Sequence, residues 1–384
     1  MKLIATILLG LFAETALSQQ LTDAGAVANG LVTRMHLRPG ERVLLVAVGG
    51  QSDAFIPVLR RRIAAAGATD LGVLASSGEP DPAWVTVFTR AAPKDRSGLA
   101  TYLATVDLAV MMPGAGVQHA AYAAMQDVLR SGKAGKPGRR TIHFHWAGAY
   151  ALDGSVLPVT PERGAFYERV LRDTDYAALG ALQSAFERAA RGSTIRVTTS
   201  AGTDISFSIG DRQVTKQDGD ASAERARSGR NLIDREIELP AGAIRVAPIE
   251  ESVNGQIAFP PGMWAGERVE GLVMRFSAGR VTGITATSGT AAVERELTQG
   301  GDGARSFREF ALGFNRLLAI PETGEKWIPY YGYGAGVVRL SLGDNSELGG
   351  RVGGGYTRWN FFTDATVRIG NETWVADGKL LRSR

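Results

Sequence analysis

The side chains able to do chemistry are few and unevenly placed along this chain. Its 384 residues include four histidines, His36, His119, His143 and His145, and no cysteine. Missing thiols exclude disulfides, Cys-ligated zinc, iron–sulfur clusters and a thiolate nucleophile. His143 and His145 lie two apart in the run Thr141–Trp146. On a strand their imidazoles share a face and can ligate a metal together. No Asp or Glu adjoins them in sequence, so a structural or hydrogen-bonding role is expected. Nothing resembles a Gly-x-Ser-x-Gly elbow. Gly49-Gly50 and Gly114-Ala115-Gly116 follow apolar runs without completing a dinucleotide fingerprint, and backbone geometry is their expected role. The string Trp327-Ile328-Pro329-Tyr330-Tyr331-Gly332-Tyr333 is too interrupted for a helix and suits a pocket lining, an interface or core packing alike.

The elements that must position these groups change character midway. From Leu21 to about Ala190, helical stretches alternate with the apolar runs Val43–Val48, Leu71–Ser76, Asp107–Met112 and Thr141–Trp146. A helix is expected over about Asp53–Ala66. Short apolar strands separated by helices predict a parallel sheet covered on both faces. Beyond about 190 the runs are short, alternating and punctuated by Gly, Asp and Asn, which suits antiparallel hairpins. A helix over Ala291–Leu297 and a loop at RVGGGY (351–356) interrupt them. The expected fold class is α/β, with an N-terminal parallel-sheet α/β domain over 19–190 and a strand-rich α+β domain over 191–384.

Residues 1–18 read as a signal peptide: Lys2 precedes the apolar stretch Leu3–Phe12, and Ala16-Leu17-Ser18 sets small residues at a cleavage site before Gln19. A periplasmic or secreted protein is therefore expected. No later segment approaches the ~20 apolar residues needed to span a bilayer, so no stable membrane insertion is expected. The net charge of +4, from 43 basic and 39 acidic residues, includes no run of five like charges. Nucleic-acid and polybasic membrane roles are not expected.

Five segments carry a family likeness: LPAGAIRVAPIEESVNGQIAF (239–259), REFALGFN (308–315), VVRLSLGDN (337–345), GGGYTRWNFFTDATV (353–367) and VADGKLL (375–381). Together with the opening helix and LRPGERVLLVAV, they resemble the dimeric metal-dependent aminopeptidases of the thermophilic leucyl-aminopeptidase (aminopeptidase T and S) family. The resemblance implies an aminopeptidase T-like fold and a homodimer. Iron-dependent 2,5-dihydroxypyridine dioxygenases share that fold, so the resemblance leaves the reaction open.

The family's two-metal site uses two glutamates, two histidines and an aspartate, and this chain keeps one of the five. Ala243 stands where the first glutamate follows Pro-x-Gly, and Glu309 keeps the second. Arg339 takes the place of one histidine, while Arg358 and Asn360 replace the His-x-Asp pair. Ser346 stands where the family's catalytic tyrosine follows the Gly-Asp-Asn turn. Arginine stays protonated and has no lone pair to give a metal, so neither a dinuclear centre nor a resident cofactor is expected, although family members use divalent metals. If the fold holds, Glu309, Arg339, Arg358 and Asn360 line the former metal cavity. That set can bind an anionic small molecule or peptide end. Alternatively, Glu309 serves as acid or base with Arg339 and Arg358 stabilising negative charge, in a metal-free hydrolase or acid–base enzyme. A self-neutralising Arg–Glu–Arg cluster is the inert version of the same residues. Metal-dependent leucyl aminopeptidase activity is what the family label by itself implies.

Overall fold

Alternation of side chains across the first sheet explains its two covered faces. In the computed structural model, which describes residues 21–75, 81–117, 119–130, 138–146, 148–158, 160–322 and 324–382, the strand Arg42–Ala47 is buried at its centre. Val43, Leu45 and Ala47 enter one apolar cluster with Leu31 and Met35 of helix Ala24–Met35 and Leu59 and Ile63 of helix Ile56–Ala65. Leu44 and Val46 point the other way, into a cluster with Leu99 and Leu103 of helix Arg96–Leu103 and Met125 and Val128 of helix Ala120–Arg130. A period of two on a strand and helices on both sides are what a parallel sheet requires. The strands Thr69–Ala75, Leu108–Met111 and Arg140–Phe144 fall on the expected runs, with ends moved by one or two residues. The leader expected at 1–18 lies outside the described residues.

The change of pattern near 190 does not divide the chain cleanly. The parallel sheet runs Thr69–Ala75, Arg42–Ala47, Leu108–Met111, Arg140–Phe144, and its fifth strand is Glu236–Leu239. That strand pairs parallel with Arg140–Phe144, setting Glu238 beside His143. The strand Trp327–Pro329 also returns, pairing antiparallel with Ala149–Ala151. Strands of three or four residues carry too little pattern to declare which sheet they join, and the pairing crosses the expected boundary.

Apart from Glu236–Leu239, the strands of the second half pair antiparallel, as expected. One sheet has the order Thr357–Phe362, Val338–Gly343, Phe307–Gly313, Ala243–Val246, Thr215–Lys216, and an eight-stranded sheet packs nearby through Phe207, Phe276, Phe307 and Phe310. Phe186 of helix Tyr176–Ala190 packs against Phe310, Phe314 and Trp374. The expected helix extends over Thr290–Gln299. Gly242 lets the Tyr330–Tyr333 turn lie against the sheet, because a Cβ there would stand 2.6 Å from the Tyr333 carbonyl oxygen.

Candidate functional site

A bulge in the strand Phe307–Gly313 sets the face on which its glutamate lies. Phe307 pairs with Leu342 and Glu309 with Ser341, leaving Arg308 as the extra residue. From there the register places Ala311 opposite Arg339, and Arg245 opposite Ala311. Glu309, Arg339 and Arg245 therefore share a face. Glu309 is fully buried, and its two oxygens are divided between guanidinium groups. Arg339 lies 2.7 Å from Oε1 and Arg245 2.9 Å from Oε2, with Arg308 at 3.8 Å. Glu347 receives Arg245 at 3.1 Å and also Arg308. Three guanidinium groups thus surround two carboxylates, and Arg308 Nε has no hydrogen-bond partner although it is buried. Burial alone would raise the Glu309 carboxyl, but Arg245, Arg339 and Arg308 outweigh it and hold the group well below the usual carboxylate range. A carboxylate stabilised so strongly is a weak base, which counts against Glu309 as the proton acceptor of a metal-free enzyme.

The structure brings Glu309 and Arg339 together and leaves Arg358 and Asn360 apart from them. Arg358 pairs with Leu342 and Asn360 with Leu340, whereas Arg339 pairs with Phe361. Alternation consequently turns Arg358 and Asn360 to the opposite face of the sheet. There Arg358 meets Glu296 at 2.7 Å and lies 3.4 Å from the Trp264 ring centroid. Asn360 donates to the Leu340 carbonyl and accepts from Arg358 Nε. The expectation of one cavity lined by all four residues fails for this reason of register. Ala243 is buried beside Gly313 and offers no side-chain donor. Ser346 Oγ is tied to Asp344 at 2.6 Å within its turn.

These residues do not fit the family's pair of metal ions. Both Glu309 oxygens are occupied by cations, and the neighbouring positions supply guanidinium groups in place of lone pairs.

A second cluster stands at the C-terminal end of the parallel sheet, where open α/β sheets bind ligands. His143 is the penultimate residue of the strand Arg140–Phe144, and His145 lies just past its end, anchored by its backbone N–H to the Leu239 carbonyl at 2.8 Å. Glu238, from the neighbouring strand, lies 3.7 Å from His143 Nδ1 and 2.8 Å from His145 Nε2. The three potential ligand atoms are all within 4.8 Å of one another. Tyr330 donates its hydroxyl to Glu238, and the Tyr330 and Tyr331 rings flank His145 at 4.8 and 5.4 Å. Burial works against a charged His143, but the hydrogen bond and charge of Glu238 overcome it and raise its pKa. Glu238 is pushed the other way, well below its ordinary value, because both histidines outweigh its burial. Glu236, two residues earlier, is raised to about 7, chiefly by burial.

No carboxylate adjoins the histidines in sequence; it is brought in by a strand some ninety residues on. The available signal was a matched pair of patterns, His-x-His at 143–145 and Glu-x-Glu at 236–238. Neither says that the two strands are neighbours. The aromatic string joins both clusters: Arg339 donates to the Tyr331 carbonyl at 3.2 Å and stacks 4.7 Å from the Trp359 centroid. Tyr331 holds this place at a positive φ of 44°, a rare conformation for a bulky residue. A separate surface pocket on helix Pro161–Asp173, lined by residues including Arg163, Phe166 and Trp327, involves neither cluster.

The family model for thermophilic metalloproteases (M29) matches residues 185–324, a span holding Ala243 and Glu309 but ending before Arg339. No curated protein matches the chain. Among solved structures, 2,5-dihydroxypyridine dioxygenase from Pseudomonas putida KT2440 is similar at a TM-score of 0.62 and 14% identity, covering 95% of this chain and 99% of that one. Wild-type AmpT from Thermus thermophilus is similar at 0.56 and 17%, covering 93% and 99%. At these identities the two structures speak to the fold, which they share over nearly their whole lengths. The matched segment is similar to the thermophilic metalloproteases, and the chain as a whole adopts an aminopeptidase T-like fold.

Proposed function

We propose that this aminopeptidase-like protein is an exported binding protein that has given up two-metal peptide hydrolysis and takes an anionic group, the carboxylate of a small molecule or peptide end, at the arginine network. One observation carries the reading. Arg245, Arg308 and Arg339 share Glu309 and Glu347, and Arg308 Nε lacks a hydrogen-bond partner in a buried place. A buried donor left unmade is costly, and a ligand carboxylate supplies the missing bond. Arg358 is assigned no part, since it is engaged with Glu296 on the other face.

Thermal denaturation with free dipeptides and simple dicarboxylates tests this. Stabilisation is expected to grow with concentration, reaching about 2.7 kcal/mol at a hundredfold excess over Kd. Arg308→Met should abolish it while remaining folded. No stabilisation by any carboxylate, or an equal effect in Arg308→Met, would defeat the reading. Turnover of peptides that is abolished by chelator and by Glu309→Gln would restore family-type hydrolysis instead. Export has its own check: the intact mass of protein recovered outside the cytoplasm should correspond to a chain beginning at Gln19.

A further inference from the structure

We propose that His143, His145 and Glu238 form a binding site for a single divalent transition-metal ion. None of the three occupies a position that the family's two-metal resemblance assigns, and the site stands apart from the arginine network in its donors. It also does not depend on the anion-binding reading above.

The donor chemistry is suited to such an ion. Two imidazole nitrogens and one carboxylate bind zinc, cobalt or iron while leaving further coordination positions open. Three donors placed about 2.1 Å from one ion stand roughly 3.4 Å apart in tetrahedral geometry. Here the Glu238 carboxylate lies 2.8 and 3.7 Å from the two ring nitrogens, so small side-chain adjustments suffice. His145 Nε2 adds an independent indication. It is buried and forms no aligned hydrogen bond, although the carboxylate is so close. A ring nitrogen beside a carboxylate but off its hydrogen-bond axis is arranged like two ligands converging on a third body.

The surroundings also resemble those of metal ligands. The other ring nitrogen of His143, Nε2, lies 3.3 Å from the Thr141 hydroxyl. With the hydroxyl accepting from Nε2–H, Nδ1 is left to face the ion. Tyr330 orients the Glu238 carboxylate by donating to it. The strands supply rigidity: His143 and Glu238 are register partners in a hydrogen-bonded parallel pair. Access is from the His145 side, whose side chain is 32% exposed against 5% for His143 and 10% for Glu238. The Glu236 carboxylate and the Tyr122 ring stand behind the cluster, with Tyr122 4.9 Å from His143. Among the described residues, the ion-pair and hydrogen-bond partners of these three include no arginine, the side chain that excludes a cation at Glu309.

The test uses the untagged full chain, stripped with a chelator, dialysed and titrated with Co²⁺ at neutral pH. Visible absorption and thermal stability are followed together, and Zn²⁺ is then added as a competitor. One equivalent of Co²⁺ is expected, with a rise in thermal stability and loss of the absorption band on zinc addition. His145→Gln, at the most exposed ligand and one without an aligned hydrogen bond, should stay folded and lose stoichiometric binding. Glu238→Gln should lose it as well. Thr141→Val should weaken binding roughly 10- to 100-fold by freeing the His143 ring. Failure of the wild-type chain to bind Co²⁺ at millimolar concentration would overturn the proposal. So would binding that survives unchanged in folded His145→Gln, since the ion would then lie elsewhere.

Discussion

At the scale of single residues, the two arginines that sequence places together have different energetic roles. Arg339 is almost wholly buried against a fully buried carboxylate. Removing one partner of such a pair leaves an uncompensated charge and typically costs about 3–5 kcal/mol. Arg339→Ala should lower the urea-denaturation free energy by an amount in that range. Arg358→Ala gives up a partly exposed ion pair and a stacking contact with Trp264, a loss of about 1–2 kcal/mol. Equal costs for the two would contradict the opposite-face arrangement. Glu309 also predicts a pH dependence. Its pKa is depressed in the folded chain, so the folded state resists protonation more than the unfolded one. The stability it confers is complete above the unfolded value near ~4.3 and is lost as pH falls further. Urea-denaturation free energies should therefore fall below about pH 4 more steeply for the wild type than for Glu309→Gln, which lacks that titration.

At the scale of elements, two clusters meet at the turn after Trp327–Pro329, and the backbone there tolerates little change. Gly242→Ala would push a Cβ to within 2.6 Å of the Tyr333 carbonyl oxygen and should destabilise by about 1–3 kcal/mol. Gly353→Ala, whose Cβ would meet nothing within 4 Å, should change stability by less than ~0.5 kcal/mol. Thermal melts of the two variants side by side check the contrast. Most elements were legible in the sequence because their apolar runs are long enough to carry a period. Arg42–Ala47, Thr69–Ala75, Ile56–Ala65 and Thr290–Gln299 all fall where the pattern places them. Glu236–Leu239 did not stand out, since four residues with two glutamates show no clear preference for either sheet.

At the scale of the whole molecule, two returning strands tie the halves together. A fragment ending near residue 190 would leave Arg140–Phe144, a fully buried strand, paired on one side only and open at the sheet edge. Such an edge invites aggregation, so residues 19–190 expressed alone should be insoluble or oligomeric in gel filtration. A soluble monomer with a native-like circular dichroism spectrum would show that the fifth strand is dispensable. The sequence by itself determined the parallel α/β beginning, the antiparallel second half, the family likeness, and the arginines standing at ligand positions. Composition and short-range periodicity are local properties, and they survive without knowledge of contacts. Only the tertiary structure decided which of those residues meet. A one-residue bulge and strict strand alternation join Glu309 to Arg339 and send Arg358 and Asn360 to the other face. Likewise, a parallel pairing across about ninety residues sets Glu238 against His143 and His145. Register and strand order are long-range choices made by the packed core, and no spacing within a single segment encodes them.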